Sequence, residues 1–220
     1  MFELSLFPLQ TVLFPDMPIH LHIFEDRYKR MIRRCLNSDS PFGVVLIRAG
    51  LEVYQEEVEI YTTGCTARIT QVEHLEEGRM NLVVRGEKRF RILRTSRVHP
   101  YLSAQAETFS MVWYDHPAAN HNLSVFRRQM RHYLKILSLI HTEEDEDLSQ
   151  LELPDDPLLL LNLASSILQI PPYEKQTLLE FEDSNLYLEK LQHIYRRETA
   201  VLKAIQRKGH SASQLEIRNN

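Results

Sequence analysis

Leu4-Ser5-Leu6-Phe7-Pro8-Leu9, then Val12-Leu13-Phe14-Pro15, then Ile23-Phe24-Glu25-Asp26-Arg27-Tyr28 open this chain of 220 residues. The first two runs are apolar and each is closed by a Phe-Pro pair. Proline has no N–H to give to a neighbouring strand, so strands made from these runs must lie at an edge or stop at the proline. From Tyr28 onward the spacing changes. Met31, Ile32, Cys35 and Leu36 follow Tyr28 at helical intervals, with Arg27, Lys29, Arg30, Arg33 and Arg34 on the other face, which predicts an amphipathic helix.

Working outward, the periodicity stays close to two up to about Tyr114. Cys65, Ala67 and Ile69 alternate with Thr66, Arg68 and Thr70, and Phe90 and Ile92 alternate with Arg89 and Arg91. Phe42 to Ile47 is a continuous apolar run, as expected of a strand covered on both faces. Glu76-Glu77-Gly78-Arg79 supplies a glycine where a hairpin needs positive φ, and Gly50, Gly64 and Gly86 are read as further turns. Six or so short strands with one early helix are better closed into a barrel than left as a sheet with open edges.

After Asp115-His116-Pro117 the pattern becomes helical. Leu123, Phe126, Met130, Tyr133, Leu134, Leu137 and Ile140 fit one face. Asp155-Asp156-Pro157 caps a helix running to about Ile170 that is apolar nearly all round. Pro171-Pro172 starts a short helix through Leu179, and Asp183-Ser184 opens a long one striped by Tyr187, Leu188, Leu191, Ile194, Tyr195, Leu202 and Ile205. The expected organisation is a β lobe over 1–116 and a helical lobe over 117–220, with an acidic linker at 142–156 and a frayed tail after about 207.

Two ordered signatures carry a resemblance. Ile23-Phe24-Glu25-Asp26-Arg27-Tyr28 follows the Phe7-Pro8 and Phe14-Pro15 runs, and Gly78-Arg79 precedes Gly86-Glu87-Lys88-Arg89-Phe90. With Pro100-Tyr101-Leu102 and the helical second half, the chain resembles the amino-terminal domain family of Lon proteases over nearly its whole length, with Ser5 and Asp16 in place of the family's proline and glycine. The resemblance implies an α+β fold, a PUA-like β pseudobarrel followed by an α-helical bundle. It also implies a role in substrate recognition without the ATPase and serine-lysine peptidase domains that follow this domain in full-length Lon proteases. The sequence has no Gly-x-x-x-x-Gly-Lys-Ser/Thr loop to cradle nucleotide phosphates. The chain is therefore expected to be non-enzymatic, without a cofactor, with unfolded or apolar polypeptides as partners and an ATP-dependent protease as a further one.

Composition agrees with a binding module. Twenty-six basic and 30 acidic residues leave a net charge of −4, too mild for a dedicated nucleic-acid binder. Eight of the acids fall between Glu143 and Asp156 with no base among them. Cys35 and Cys65 both lie on apolar faces and read as buried reduced thiols rather than a disulfide pair. There is no signal-peptide layout and no apolar run of about 20 residues, so a cytoplasmic location and no membrane contact are expected.

Four aromatics, Trp113 and Tyr114 near the expected lobe junction and Tyr173 and Phe181 around the short helix, are the candidate polypeptide-binding residues, set in a groove between lobes. The alternative is RNA binding through Arg85, Lys88, Arg89, Arg91 and Arg94 on one strand, with Arg97 beyond it. Only Phe90 offers aromatic interleaving there, which counts against stacking of single strands. His20 and His22 share one side of a strand, but zinc sites want three or four ligands and no clear third is near, so no metal is expected. Ser165, Ser166 and Lys175 could suggest a serine-lysine nucleophile, yet no orienting base or oxyanion feature accompanies them. His116 and His121 are read as capping and loop residues. The Phe7-Pro8 and Phe14-Pro15 pairs would leave apolar edges through which copies of the chain could associate.

Overall fold

A computed structural model describes residues 1–49, 58–140 and 150–218, with side chains up to Arg207. Gly50 and the greater part of the acidic linker, residues 142–149, lie outside the described residues. Six strands and five helices follow in the order β1 (Phe2–Leu9), β2 (Pro18–Ile23), α1 (Asp26–Asn37), β3 (Phe42–Ala49), β4 (Glu59–His74), β5 (Met80–Ser96), β6 (Ser103–Phe109), α2 (Pro117–Ile140), α3 (Pro157–Ile167), α4 (Pro172–Leu179) and α5 (Ser184–Arg218). The fold is α+β. The chain divides into two compact units, one of residues 1–112 with 165–182, the other of 113–164 with 183–220.

In the first unit, β6 pairs with both β1 and β5. The ladders β5–β4, β4–β3, β3–β1, β1–β6 and β6–β5 therefore close into a ring, and β2 lies outside it on β5. Closure leaves few unpaired edges. β1 is antiparallel to β6 from Phe2 to Ser5 and parallel to β3 from Leu6 to Leu9. Leu6 donates its N–H to the Leu102 carbonyl at 2.8 Å. The nitrogen of residue 8 faces the same edge two residues on, where β6 has stopped, so Pro8 sits where a donor is not needed.

Two apolar clusters occupy the two faces of this sheet. One gathers Phe7, Phe42, Val44, Cys65, Ala67, Met80, Leu82 and Val84 beneath the α1 residues Tyr28, Met31, Ile32 and Cys35. The other holds Leu4, Leu6, Val45, Phe90, Ala104 and Ala106. Neighbours in sequence, such as Leu6 with Phe7 and Val44 with Val45, fall into different clusters. This accounts for the unbroken apolar run of β3, buried from Phe42 to Ile47. The helical stripe of α1 holds at Tyr28, Met31, Ile32 and Cys35, while Leu36 is exposed.

Val12-Leu13-Phe14 is a buried loop and not a strand. Asp16 takes φ 66°, and the turn is held by Asp16 N–H on the Gly86 carbonyl and Gly86 N–H on the Met17 carbonyl. Gly64 and Gly86 are not turns but lie inside β4 and β5. At Gly86 an ideal Cβ would sit 2.2 Å from the Phe14 carbonyl oxygen, so the loop can reach the strand only because the side chain is missing. Gly78, by contrast, is in the hairpin turn with φ 68° as expected. Finally, Phe7, Pro8, Phe14 and Pro15 are all buried, so these pairs leave no apolar edge for self-association.

The segment 165–182 belongs with the β unit for a visible reason. Gln176, only 1 % exposed, donates from Nε2 to the Thr63 carbonyl of β4 at 3.1 Å, and Glu182 pairs with Arg91 of β5 at 2.7 Å. The same Nε2 also donates to Glu180 Oε1 at 2.8 Å, so the amide nitrogen is engaged on both sides while its Oε1 stays buried without a partner among the described residues.

In the second unit α2 packs on α5. Leu123, Phe126, Met130, Tyr133, Leu134 and Leu137 are buried, joined by Ile136. Asp156 caps α3 by accepting from Leu159 N–H, and Asp183 caps α5 by accepting from Asn185 and Leu186 N–H. α3 stops at Ile167, three residues before the expected end. The α5 stripe holds through Tyr195 but fades beyond it, with Ile205 51 % exposed. Its backbone continues as helix through Arg218 instead of fraying near 207. That stretch has one glycine and no proline, too little to break a helix already nucleated.

Candidate functional site

Phe7 of β1 and Tyr28 of α1 anchor the site. Their rings meet edge to face at 4.3 Å, and Phe7 makes a similar contact with Phe42 at 6.1 Å. The Arg27 guanidinium lies 4.6 Å over the Tyr28 ring, and Glu25 binds the same guanidinium at 2.8 Å. Ring packing, cation–π attraction and a charged pair thus fix three successive features of the α1 entry. Nearby, His99 stacks on Tyr101 at 5.2 Å, and Arg34 donates to His99 Nε2 at 2.8 Å.

Two concavities of this unit share Pro8 and Tyr28 in their linings. The first, about 280 Å³, is walled by Phe7, Leu9, Ile19, Leu21, Ile23 and Phe24 and runs beside β2. Among the described residues β2 pairs on one side, with β5. Phe24 is 46 % exposed and stacks with His22 at 5.9 Å. The second, about 360 Å³, is lined by Arg27, Arg97, His99, Pro100, Tyr101 and Leu102 together with Val58. The first is mostly apolar, with Thr11, His20, His22 and Glu25 at its margin; the second combines Arg27 and Arg97 with aromatic and proline walls.

The residues singled out from the sequence are distributed otherwise. Trp113 is half-buried and Tyr114 62 % exposed at the start of the second unit; Tyr173, 61 % exposed, and the half-buried Phe181 belong to the first. None of the four is among the described residues lining the two concavities. The signature residues Pro8, Ile23, Phe24, Glu25, Arg27 and Tyr28, taken from the sequence as structural, do line them. The Phe-Pro and Ile-Phe-Glu-x-Arg-Tyr runs were the signal that could have pointed there.

The basic strand is broken up by its own neighbours. Arg89 is 5 % exposed and so is removed from any phosphate-tracking surface. Arg85 pairs with Asp16 at 3.0 Å and Arg91 with Glu182, while Lys88 and Arg94 are exposed. Lys175 donates to the Ser166 carbonyl at 2.7 Å and not to a hydroxyl, and burial lowers its pKa. Ser165 is fully buried. His22 Nδ1 lies 2.7 Å from Asn81 Oδ1, and among the described residues no three His, Cys, Asp or Glu converge as metal ligands. His116 accepts from Ala118 N–H at the start of α2, a capping role, whereas at His121 it is the backbone carbonyl that is engaged, by the Ser124 hydroxyl. No helix of the described residues is long and apolar enough to cross a membrane.

Both cysteines are free and buried. Burial pushes the Cys35 thiol up to about 11 and that of Cys65 up to about 12, from an ordinary 9.0. In the folded chain neither should react with a thiol reagent at pH 8, and both should react on unfolding in urea; fast labelling of native protein would contradict this. The unfolded chain loses these protons first. The contribution of these two thiols to stability is therefore undiminished below pH 9 and falls as pH rises toward 11 and 12, which urea midpoints measured across that range would show.

The chain belongs to the family of the ATP-dependent protease La (Lon) substrate-binding domain, whose model matches residues 3–197. It is 27 % identical over 202 residues to Lon protease 2 of Herpetosiphon aurantiacus, covering 91 % of this chain and 24 % of that protein. The Lon protease of Escherichia coli K12 is 26 % identical over 206 residues, covering 93 % and 26 %. The chain thus spans about a quarter of the length of these relatives. Among solved structures, the Lon N-terminal domain protein from Xanthomonas campestris superposes with a TM-score of 0.65 at 24 % identity, over 88 % of this chain and 98 % of that one. The N-terminal domain of Mycobacterium avium complex Lon protease gives 0.64 at 18 %, over 89 % and 98 %. At these identities the superpositions show a shared fold.

Proposed function

We propose that this chain is a non-catalytic recognition module that binds extended apolar segments of polypeptide, as an adaptor or substrate receptor working with an ATP-dependent protease in the cytoplasm. The barrel is read as PUA-like within the same proposal. The observation that carries the reading is the apolar concavity beside β2. A peptide laid along the unpaired side of β2 would gain main-chain hydrogen bonds, and alternate side chains would enter the space between Leu9, Ile19, Leu21 and Phe24. Family membership supports the same class of ligand.

The test is fluorescence anisotropy of a labelled apolar peptide against the purified chain. Saturable binding is expected, with Phe24→Asp weakening it by roughly tenfold because a charge replaces an exposed aromatic wall. Phe24 is half exposed, so the variant should melt as the parent does. Flat anisotropy across the titration, or a Phe24→Asp curve identical to the parent's, would reject the reading.

A further inference from the structure

We infer that the chain selects extended segments in which apolar and acidic residues alternate, with His20 and His22 reading the acidic positions. This rests on the proposed function above and specifies its ligand. Gly86 donates its N–H to the Met17 carbonyl, one step beyond the Pro18–Arg85 pair of the β2–β5 ladder. Hydrogen-bonded positions of an antiparallel pair recur at every second residue. Ile19, Leu21 and Ile23 therefore turn their main-chain groups toward β5, and Pro18, His20 and His22 turn theirs the other way. Pro18, which has no N–H, falls at one of these outward positions, where an edge strand tolerates it.

The register of a peptide on that side follows. Residues directly opposite across a ladder place their side chains on the same face of the sheet. Peptide residues facing Leu21 and Ile23 enter the apolar concavity, and those facing His20 and His22 lie on the outer face beside these exposed rings. The His22 ring is set by a chain of hydrogen bonds across three strands. Asn81 Nδ2 of β5 donates to Glu73 Oε2 of β4 at 2.7 Å, and a carboxylate only accepts, so the amide turns Oδ1 toward His22. His22 Nδ1 lies 2.7 Å from that oxygen and carries the hydrogen. The ring therefore takes up a further proton at Nε2 without losing this bond, and an imidazole changes charge between about pH 5 and 8. The other charges on this face are paired: Arg79 with Glu77, Arg85 with Asp16, and Glu25 with Arg27. Glu73 stands three strand spacings, about 14 Å, from a peptide on the outer edge, beyond the screening length of about 8 Å, whereas the two histidines are one spacing away. A carboxylate opposite them gains a proton-linked charge pair, so its binding strengthens as pH falls through the imidazole range.

The experiment titrates short labelled peptides of alternating Leu-Glu, Leu-Gln and Leu-Lys with the whole chain, by anisotropy at pH 6 and pH 8. A two-residue repeat meets the register in either chain direction. At pH 6 the Leu-Glu peptide should bind about tenfold more tightly than Leu-Gln, with Leu-Lys the weakest. The advantage should shrink at pH 8 and vanish in the double variant His20→Gln, His22→Gln, which keeps the affinity for Leu-Gln. Both positions are exposed, and melting curves check the variant's fold. Equal affinities for Leu-Glu and Leu-Gln at pH 6, or a Leu-Glu advantage that the double variant retains, overturn the alternation and leave the proposed function standing. Binding of none of the three overturns this inference, and the proposed function falls with it if the wholly apolar peptide is not bound either.

Discussion

Tyr195→Ala is expected to destabilise the second unit by about 4–5 kcal/mol, a large share of the total stability of an ordinary domain. Tyr195 is fully buried, with its ring edge-on to Phe126 at 5.2 Å and to Tyr133 at 5.0 Å. Its hydroxyl donates to the Ala164 carbonyl at 2.9 Å. Truncation removes the ring from between α2 and α5, opens a cavity that its neighbours fill only in part, and strips the α3 carbonyl of its partner. Burial raises the phenol pKa well above its usual value, so the donor is protonated throughout the neutral range. Tyr195→Phe separates the two effects, since it keeps the packing and should cost only about 1–2 kcal/mol. Urea denaturation checks both; a Tyr195→Ala midpoint equal to that of Tyr195→Phe would show that the ring contributes little.

Gly86→Ala is expected to cost about 3 kcal/mol in the first unit, because the added methyl meets backbone and not a movable side chain. Its Cβ would fall 2.2 Å from the Phe14 carbonyl oxygen, and the Cys65 sulfur lies 3.1 Å away. Displacing the loop also strains the two hydrogen bonds that tie residues 16 and 17 to Gly86. Gly43→Ala makes the useful contrast. There the nearest atoms are the ends of Leu4, Leu6 and Phe90 side chains at 2.7 to 2.9 Å, which can shift rotamer. Calorimetry should show Gly86→Ala lowering the melting temperature by roughly 6–12 °C and Gly43→Ala by less. A reversed order would mean that the loop gives way more easily than the core.

Local spacing made much of this fold legible. The α1 stripe, the doubly covered β3, the Asp156 and Asp183 caps and the Gly78 hairpin each depend on residues within one turn or one strand. The misread features depend on distant partners. Val12-Leu13-Phe14 has the composition of a strand, but Asp16 and Gly86 turn it into a loop. Leu202 and Ile205 keep the helical period, yet Leu202 is only half-buried and Ile205 is exposed. Arg89 reads as a surface cation by composition, whereas its strand position places it in the interior.

The sequence by itself determined the family signatures, the change from strand to helix near residue 116 and which face of each element is apolar, because these follow from periods of two and 3.6 along a single segment. Only the tertiary structure decided the closure of β6 onto both β1 and β5, the grouping of 165–182 with the strands through Gln176 and Thr63, and the meeting of Pro8, Tyr28 and Tyr101 around one concavity. These residues are separated by tens of positions, and what joins them is the need of buried polar groups for partners and of ring faces for neighbours, which periodicity along the chain does not carry.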